Sequence, residues 1–231
     1  VPFIATAGWS IPKTVAHLFP EKGSGLSRYA TVFNGAEINS TFYRHYQRKT
    51  FERWASVVPD DFRFAVKLPR EITHEQRLRS IGPLFNAFLG DVSGLGDRLG
   101  PLLCQLPPSL RFDAAEVTAA FAAMRDAFPG MIVIEPRHTG WASPSAEEVL
   151  RRFAIDRVLA DPAPVWGAGD FTEPPKYVRL HGTPRMYYSN YDEAEIRTFG
   201  KRLAAGSWCV FDNTASGAAI ENALTMRDQL A

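Results

Sequence analysis

Eight short, almost uninterrupted apolar runs are spaced along the chain, and most lead into a stretch with helical periodicity. They cover 3–9, 36–40, 63–68, 102–106, 131–135, 157–161, 177–181 and 208–212. The first leads through a loop to a helix near Leu26 to Phe33, and the second precedes a helix from Thr50 to Val57. A helix after Gly82 follows the third run, and the Ala-rich stretch 113–127 follows the fourth through Pro107-Pro108. Helices near Ser145 to Phe153, Glu193 to Leu203 and Ala218 to about Gln229 follow the fifth, seventh and eighth, while the segment after the sixth reads as loop. Runs that are apolar throughout belong to strands covered on both faces, as in a parallel sheet wrapped by helices. Eight such units in 231 residues predict an α/β fold: a single-domain (β/α)8 barrel of TIM type over 1–231, with a slightly irregular helix ring. No linker, repeat or low-complexity tract divides it.

In such a barrel the C-terminal strand ends carry chemistry. Here they read Trp9; Glu37 and Asn39; Lys67; Gln105; Glu135 and Arg137; Asp161; Arg179 and His181; and Asp212 with Asn213. Because side chains alternate along a strand, Glu37 shares a face with Asn39, Glu135 with Arg137, and Arg179 with His181. Buried charge is costly unless it is paired, so this ring is expected either to close on itself or to await a ligand.

Composition narrows the partners. A net charge of +1 excludes a generally basic nucleic-acid binder and an acidic disordered tail. No apolar run approaches the roughly 20 residues of a membrane span, and no basic-then-apolar leader opens the chain. Two cysteines, Cys104 and Cys209, are too few for a disulfide framework and point to a reducing, cytoplasmic setting. Both fall mid-run, as small apolar fillers rather than nucleophiles. Serine-hydrolase, Walker and dinucleotide-binding motifs are missing.

Three kinds of chemistry suit the ring. Glu37, Glu135, Asp161, His181 and Asp212 are candidate ligands for a divalent Mg²⁺, Mn²⁺ or Zn²⁺; the alternative closes these acids onto Lys67, Arg137 and Arg179 as salt bridges. Acid–base chemistry on a small anionic substrate, such as a phosphorylated sugar or nucleotide fragment, would use Glu135 as base and Glu37 or Asp161 as acid. His138 or His181 would transfer a proton, and Lys67, Arg70, Arg137 and Arg179 would hold the anion. His74 beyond the third run is a further proton carrier near neutral pH, although a lone loop histidine is more often a cap. A glycoside hydrolase would need two opposed, free carboxylates and an aromatic platform such as Trp141. A binding module is the remaining reading: residues 44–79 hold nine Lys or Arg against five Asp or Glu, with aromatic residues interleaved, which suits single-stranded nucleic acid or a protein partner.

Several motifs resemble the DUF72 family, also called YecE-like. They are Glu37-Ile38-Asn39-Ser40-Thr41-Phe42-Tyr43, Phe64-Ala65-Val66-Lys67-Leu68-Pro69-Arg70 with Ile72-Thr73-His74, and Gly100-Pro101-Leu102-Leu103-Cys104-Gln105-Leu106-Pro107-Pro108. Glu135-Pro136-Arg137-His138 with Trp141, and Tyr177-Val178-Arg179-Leu180-His181-Gly182, complete the set between Gly8-Trp9 and Asn213. The resemblance implies a TIM barrel and a site among these positions, adding Tyr43 to the strand-end residues, but no substrate. The chain departs from the family pattern in two places. Ser10-Ile11-Pro12-Lys13 stands where further aromatics are usual, and Asp212-Asn213 stands where paired asparagines are usual.

Overall fold

In the computed structural model, which describes residues 1–230, the apolar runs become eight strands: β1 (Phe3–Thr6), β2 (Gly35–Ile38), β3 (Arg63–Lys67), β4 (Leu99–Gln105), β5 (Ile132–Glu135), β6 (Ile155–Asp161), β7 (Tyr177–Leu180) and β8 (Trp208–Phe211). They form one parallel sheet in the order β1-β8-β7-β6-β5-β4-β3-β2. The helices are α1 (Gly25–Tyr29), α2 (Arg48–Ala55), α3 (Gly82–Val92), α4 (Ala114–Ala127), α5 (Pro144–Arg152), α6 (Glu193–Gly200) and α7 (Ala218–Leu230). Only the short helical turn Ala168–Asp170 lies between β6 and β7. The ring is therefore irregular where the sequence reads as loop. Helix starts follow their caps. Asp113 accepts from the Ala115 and Glu116 N–H groups at 3.0 Å each, Ser143 caps a first turn containing Pro144, and Asp192 and Glu195 form a reciprocal capping box.

The seam between β1 and β2 is the weakest part of the cylinder. One parallel bridge, Ala7 to Glu37, joins the two strands, and Gly8 N–H donates to the Glu37 carbonyl at 2.8 Å. Side chains fill the rest of the seam. Asn34 Oδ1 accepts from Ile4 N–H at 2.9 Å, and the Tyr29 hydroxyl accepts from Thr6 N–H and donates to the Gly35 carbonyl, both at 3.0 Å. Tyr29→Phe is expected to cost about 1–3 kcal/mol, because it leaves a buried backbone donor and acceptor unpaired. Urea unfolding of the variant checks this.

Alternation divides the apolar residues into two clusters. One packs the outer sheet face against the helices. The other, inside the barrel, contains Ala5, Ala65, Leu103, Val133, Val158, Ala160, Tyr177, Trp208 and Val210. Trp208 plugs the N-terminal end, stacked on Phe3 at 4.7 Å between ring centroids. Gly35 and Gly100 make room for it, since a Cβ on either would lie 3.0 Å from its indole. Among the described residues, no helix is long and apolar enough to cross a membrane.

Candidate functional site

Stepping two residues along each strand from the inner apolar layer reaches the polar one. Ala65 leads to Lys67, Val133 to Glu135, Tyr177 to Arg179 and then His181, and Val210 to Asp212. Glu37 enters from β2.

Arg179 is the hub. Its Nε donates to Glu37 Oε2 at 3.0 Å and its Nη2 to Glu37 Oε1 at 2.8 Å, a bidentate pair. Nη1 donates to Glu135 Oε2 at 2.8 Å, and Nη2 also reaches Asp212 Oδ2 at 2.9 Å. The Tyr177 hydroxyl donates to Glu37 Oε2 at 2.9 Å. Arg179 is 1% exposed and Glu37 fully buried, so one guanidinium holds three carboxylates in the barrel interior. Burial opposes its charge, but Glu37, Asp212 and Glu135 outweigh that and hold its pKa well above the ordinary value.

His181 bridges two of the same acids, with Nδ1 3.0 Å from Asp212 Oδ2 and Nε2 3.0 Å from Glu135 Oε1. Burial would lower its pKa, yet the Glu135 charge and the two hydrogen bonds raise it, which favours the imidazolium, the form able to donate to both acids. Arg137 Nη2 donates to the same Glu135 oxygen. Burial would raise Glu135, but Arg179, His181 and Arg137 together hold it well below the carboxylate range. Asp212 is lowered in the same way against its own burial, chiefly by Arg179 and His181.

Lys67 stands apart from this lock. It is 7% exposed, and among the described residues no carboxylate lies within 4.0 Å of its Nζ. The Nζ sits 4.3 Å above the Phe42 ring. Burial, reinforced by Arg179, lowers the ammonium pKa to about 8 despite the nearby acids. His74 packs edge-on against the same Phe42 ring, with centroids 4.8 Å apart. Burial and the charges of Lys67, Arg70 and Arg77 lower it to about 4. The two histidines are thus driven in opposite directions. A proton-resolved NMR titration is expected to show His74 neutral above about pH 5 and His181 still protonated above its ordinary 6.5.

The other expected residues sort by strand phase. Asp161 follows Ala160, which faces inward, and so points out of the ring; it accepts from the hydroxyls of Thr183 and Tyr191 at 2.7 Å each. Asn213 is fully buried, and its Nδ2 donates to Ser189 O and Asn222 Oδ1. Both residues hold the loop after β7. His138 Nδ1 accepts from Gly140 N–H at 2.9 Å as the cap of the short turn Thr139–Trp141. Trp141 is fully buried, with its indole N–H donating to Leu110 O and its ring against Phe112, so it is a core residue and no sugar platform. Gln105 donates to the neighbouring Leu106 carbonyl. Trp9 packs edge-on against Trp54 and Phe64. Arg70 pairs loosely with Glu75 at the surface. Tyr43 is 77% exposed on the rim of a groove of about 500 Å³.

That groove opens on the same face, between the loops after β2 and β3 and helix α3. Arg44, His45 and Arg70 line it, but so do Glu71, Glu75 and Asp91. Among the described residues, three side-chain atoms at the strand ends are buried without a protein partner: Asn39 Oδ1, Arg137 Nε and Asn213 Oδ1. The residues expected to bind a metal do not fit one. Among the described residues no three His, Cys, Asp or Glu groups are placed to hold an ion, because the guanidinium of Arg179 already sits between Glu37, Glu135 and Asp212, and Asp161 points elsewhere. The same lock removes the free opposed carboxylates that a glycosidase needs. Both cysteines are buried, which pushes the Cys104 thiol up to about 12 and that of Cys209 higher still.

Two contributors escape a reading of the sequence by charge alone, Tyr177 and Phe42. Tyr177 lies two residues before Arg179, so strand alternation signals it. Nothing in the sequence places Phe42 beneath Lys67.

The family model described as "Protein of unknown function DUF72" matches residues 3–231. UPF0759 protein YecE of Escherichia coli K12 is 32% identical over 178 residues, covering 74% of this chain and 63% of that protein. The match thus spans less than two thirds of that relative. The crystal structure of a DUF72 family protein from Thermotoga maritima superposes with a TM-score of 0.83 at 25% identity, covering 100% of this chain and 99% of that one. More distant barrels share the fold alone, among them the enzyme 2,3-dimethylmalate lyase at 11% identity, TM-score 0.56 and coverage of 98% and 81%. The chain is a (β/α)8 barrel of the DUF72 family.

Proposed function

We propose that the C-terminal mouth is the active site of an enzyme that binds a small anionic molecule, such as a phosphorylated sugar or nucleotide fragment, and moves protons on it. The observation that carries this reading is an uncompensated positive charge among orphaned polar atoms. With His181 protonated, Lys67, Arg137, Arg179 and His181 give four cations against the three anions Glu37, Glu135 and Asp212. Arg137 Nε and Asn39 Oδ1 have no partner among the described residues. An anion would offset the excess charge and accept from Arg137 Nε, while Asn39 Oδ1 would accept from a hydroxyl of the same molecule.

Glu135 suits a positioning role better than that of a base, since Arg179, Arg137 and His181 engage its oxygens. Lys67, its pKa lowered to about 8, is the group that would exchange a proton near neutral pH. A nucleic-acid reading has a groove to use, but three carboxylates stand there against two arginines, which would repel a phosphate backbone.

Titration calorimetry with inorganic phosphate tests the reading. The wild type is expected to bind with a Kd at or below about 1 mM. Arg137→Gln should bind about tenfold more weakly through loss of its fork. A wild type that gives no binding heat overturns it.

A further inference from the structure

We infer that Lys67 is a covalent site whose amine condenses with the carbonyl carbon of a small anionic aldehyde or ketone to form an imine. This deepens the active-site reading above and rests on it. The chain has six lysines; Lys13, Lys22, Lys49, Lys176 and Lys201 are exposed and Lys67 alone is buried. A buried ammonium ordinarily has a carboxylate partner. Here three acids lie close enough to act on Lys67 electrostatically, yet all three are committed to Arg179, and none comes within 4.0 Å of the Nζ. What the Nζ meets instead is the face of Phe42, a cation–π contact that offers no proton acceptor.

The charged groups around it are Arg179, Glu37, Asp212 and Glu135, and the balance with burial lowers its pKa to about 8. With a pKa near 8, roughly a tenth of Lys67 is neutral at pH 7, far more than for an exposed lysine. A desolvated lysine in an apolar setting is the form that attacks carbonyl compounds. Its position at the end of β3 places it on the barrel face where chemistry is carried. The excess positive charge of the ring would hold a carboxylate or phosphate on the same molecule.

The step balances without an oxidant or reductant. The Nζ lone pair forms the C–N bond while the carbonyl π pair moves to oxygen. That oxygen takes one proton from the nitrogen and one from solvent, and the C–O bond breaks to release one water. The product is a C=N bond to Lys67, protonated as an iminium.

Trapping tests this in the intact wild-type chain. The protein is incubated separately with pyruvate and with dihydroxyacetone phosphate in the presence of sodium cyanoborohydride, which supplies hydride to an iminium. Each trapped adduct adds the mass of the probe less one oxygen atom, and peptide mapping locates it. The expected result is an adduct at Lys67 forming about tenfold faster than at any exposed lysine, and its loss in Lys67→Arg. The arm that labels faster shows whether the carboxylate or the phosphate is recognised. Label spread over the exposed lysines and the N-terminus, with none at Lys67, overturns the inference. If phosphate still binds by calorimetry in that case, the anion-site reading stands and only the imine fails; if phosphate does not bind either, both fail.

Discussion

Replacing Arg179 with methionine is expected to destabilise the protein by about 3–5 kcal/mol, the usual cost of stranding buried charges whose partner is removed. The stem of the side chain survives, but Glu37, Glu135 and Asp212 lose the cation that holds them together. His181 compensates only Glu135 and Asp212, and Glu37 is left with the Tyr177 hydroxyl. For a chain of this size the loss corresponds to a fall in Tm of about 10–15 °C by calorimetry. The pH dependence has a definite sign. Glu135 and Asp212 have folded-state pKa values below their unfolded ones. Their stabilisation is therefore complete above about pH 4–5 and is lost as the pH falls through the depressed values. The gap between wild type and variant should narrow in acid for the same reason. A change below about 1 kcal/mol at neutral pH would mean that Arg179 is not the hub.

Lys67→Met is expected to act in the opposite direction and to stabilise the barrel. Its pKa is lowered from 10.5 to about 8. At about 1.4 kcal/mol per unit, carrying the charge into the fold costs roughly 3 kcal/mol. Methionine keeps the length of the stem and removes the charge, so a gain of about 1–3 kcal/mol follows, seen as a higher Tm at pH 7. A residue that lowers stability where a neutral one would raise it is what the proposed active-site role of Lys67 leads one to expect.

The barrel was legible because its strands are buried on both faces and so leave continuous apolar runs between polar helices. The gap after β6 was legible in the same way, since residues 162–176 carry no helical periodicity. Alternation also put Glu135 with Arg137 and Arg179 with His181, and the structure joins these pairs through Glu135. The same rule, applied to β6 from Val158 and Ala160, turns Asp161 outward; reading strand ends without their phase is what placed it in the ring. Partner choice was not legible. The Arg179–Glu37 pair spans 142 positions and exists only once the sheet closes, so sequence could not show that Arg179 would take three acids and leave Lys67 with none. Trp141 misleads for another reason: its motif lies at a strand end, but its ring turns back among Phe112 and Phe121 beneath the helices.

The ring contains a closed lock around Arg179 beside Lys67, which has no carboxylate partner and costs stability. The most direct measurement is the unfolding free energy of wild type and Lys67→Met, near pH 7 and again near pH 10.5. A folded-state pKa below the unfolded one makes the cost of the charge complete below about pH 8 and absent above about pH 10.5. The variant is expected to be more stable by about 1–3 kcal/mol near pH 7, with the advantage gone near pH 10.5. A variant less stable than wild type at pH 7, recovering no ground in alkali, would contradict it and make Lys67 one more member of the lock.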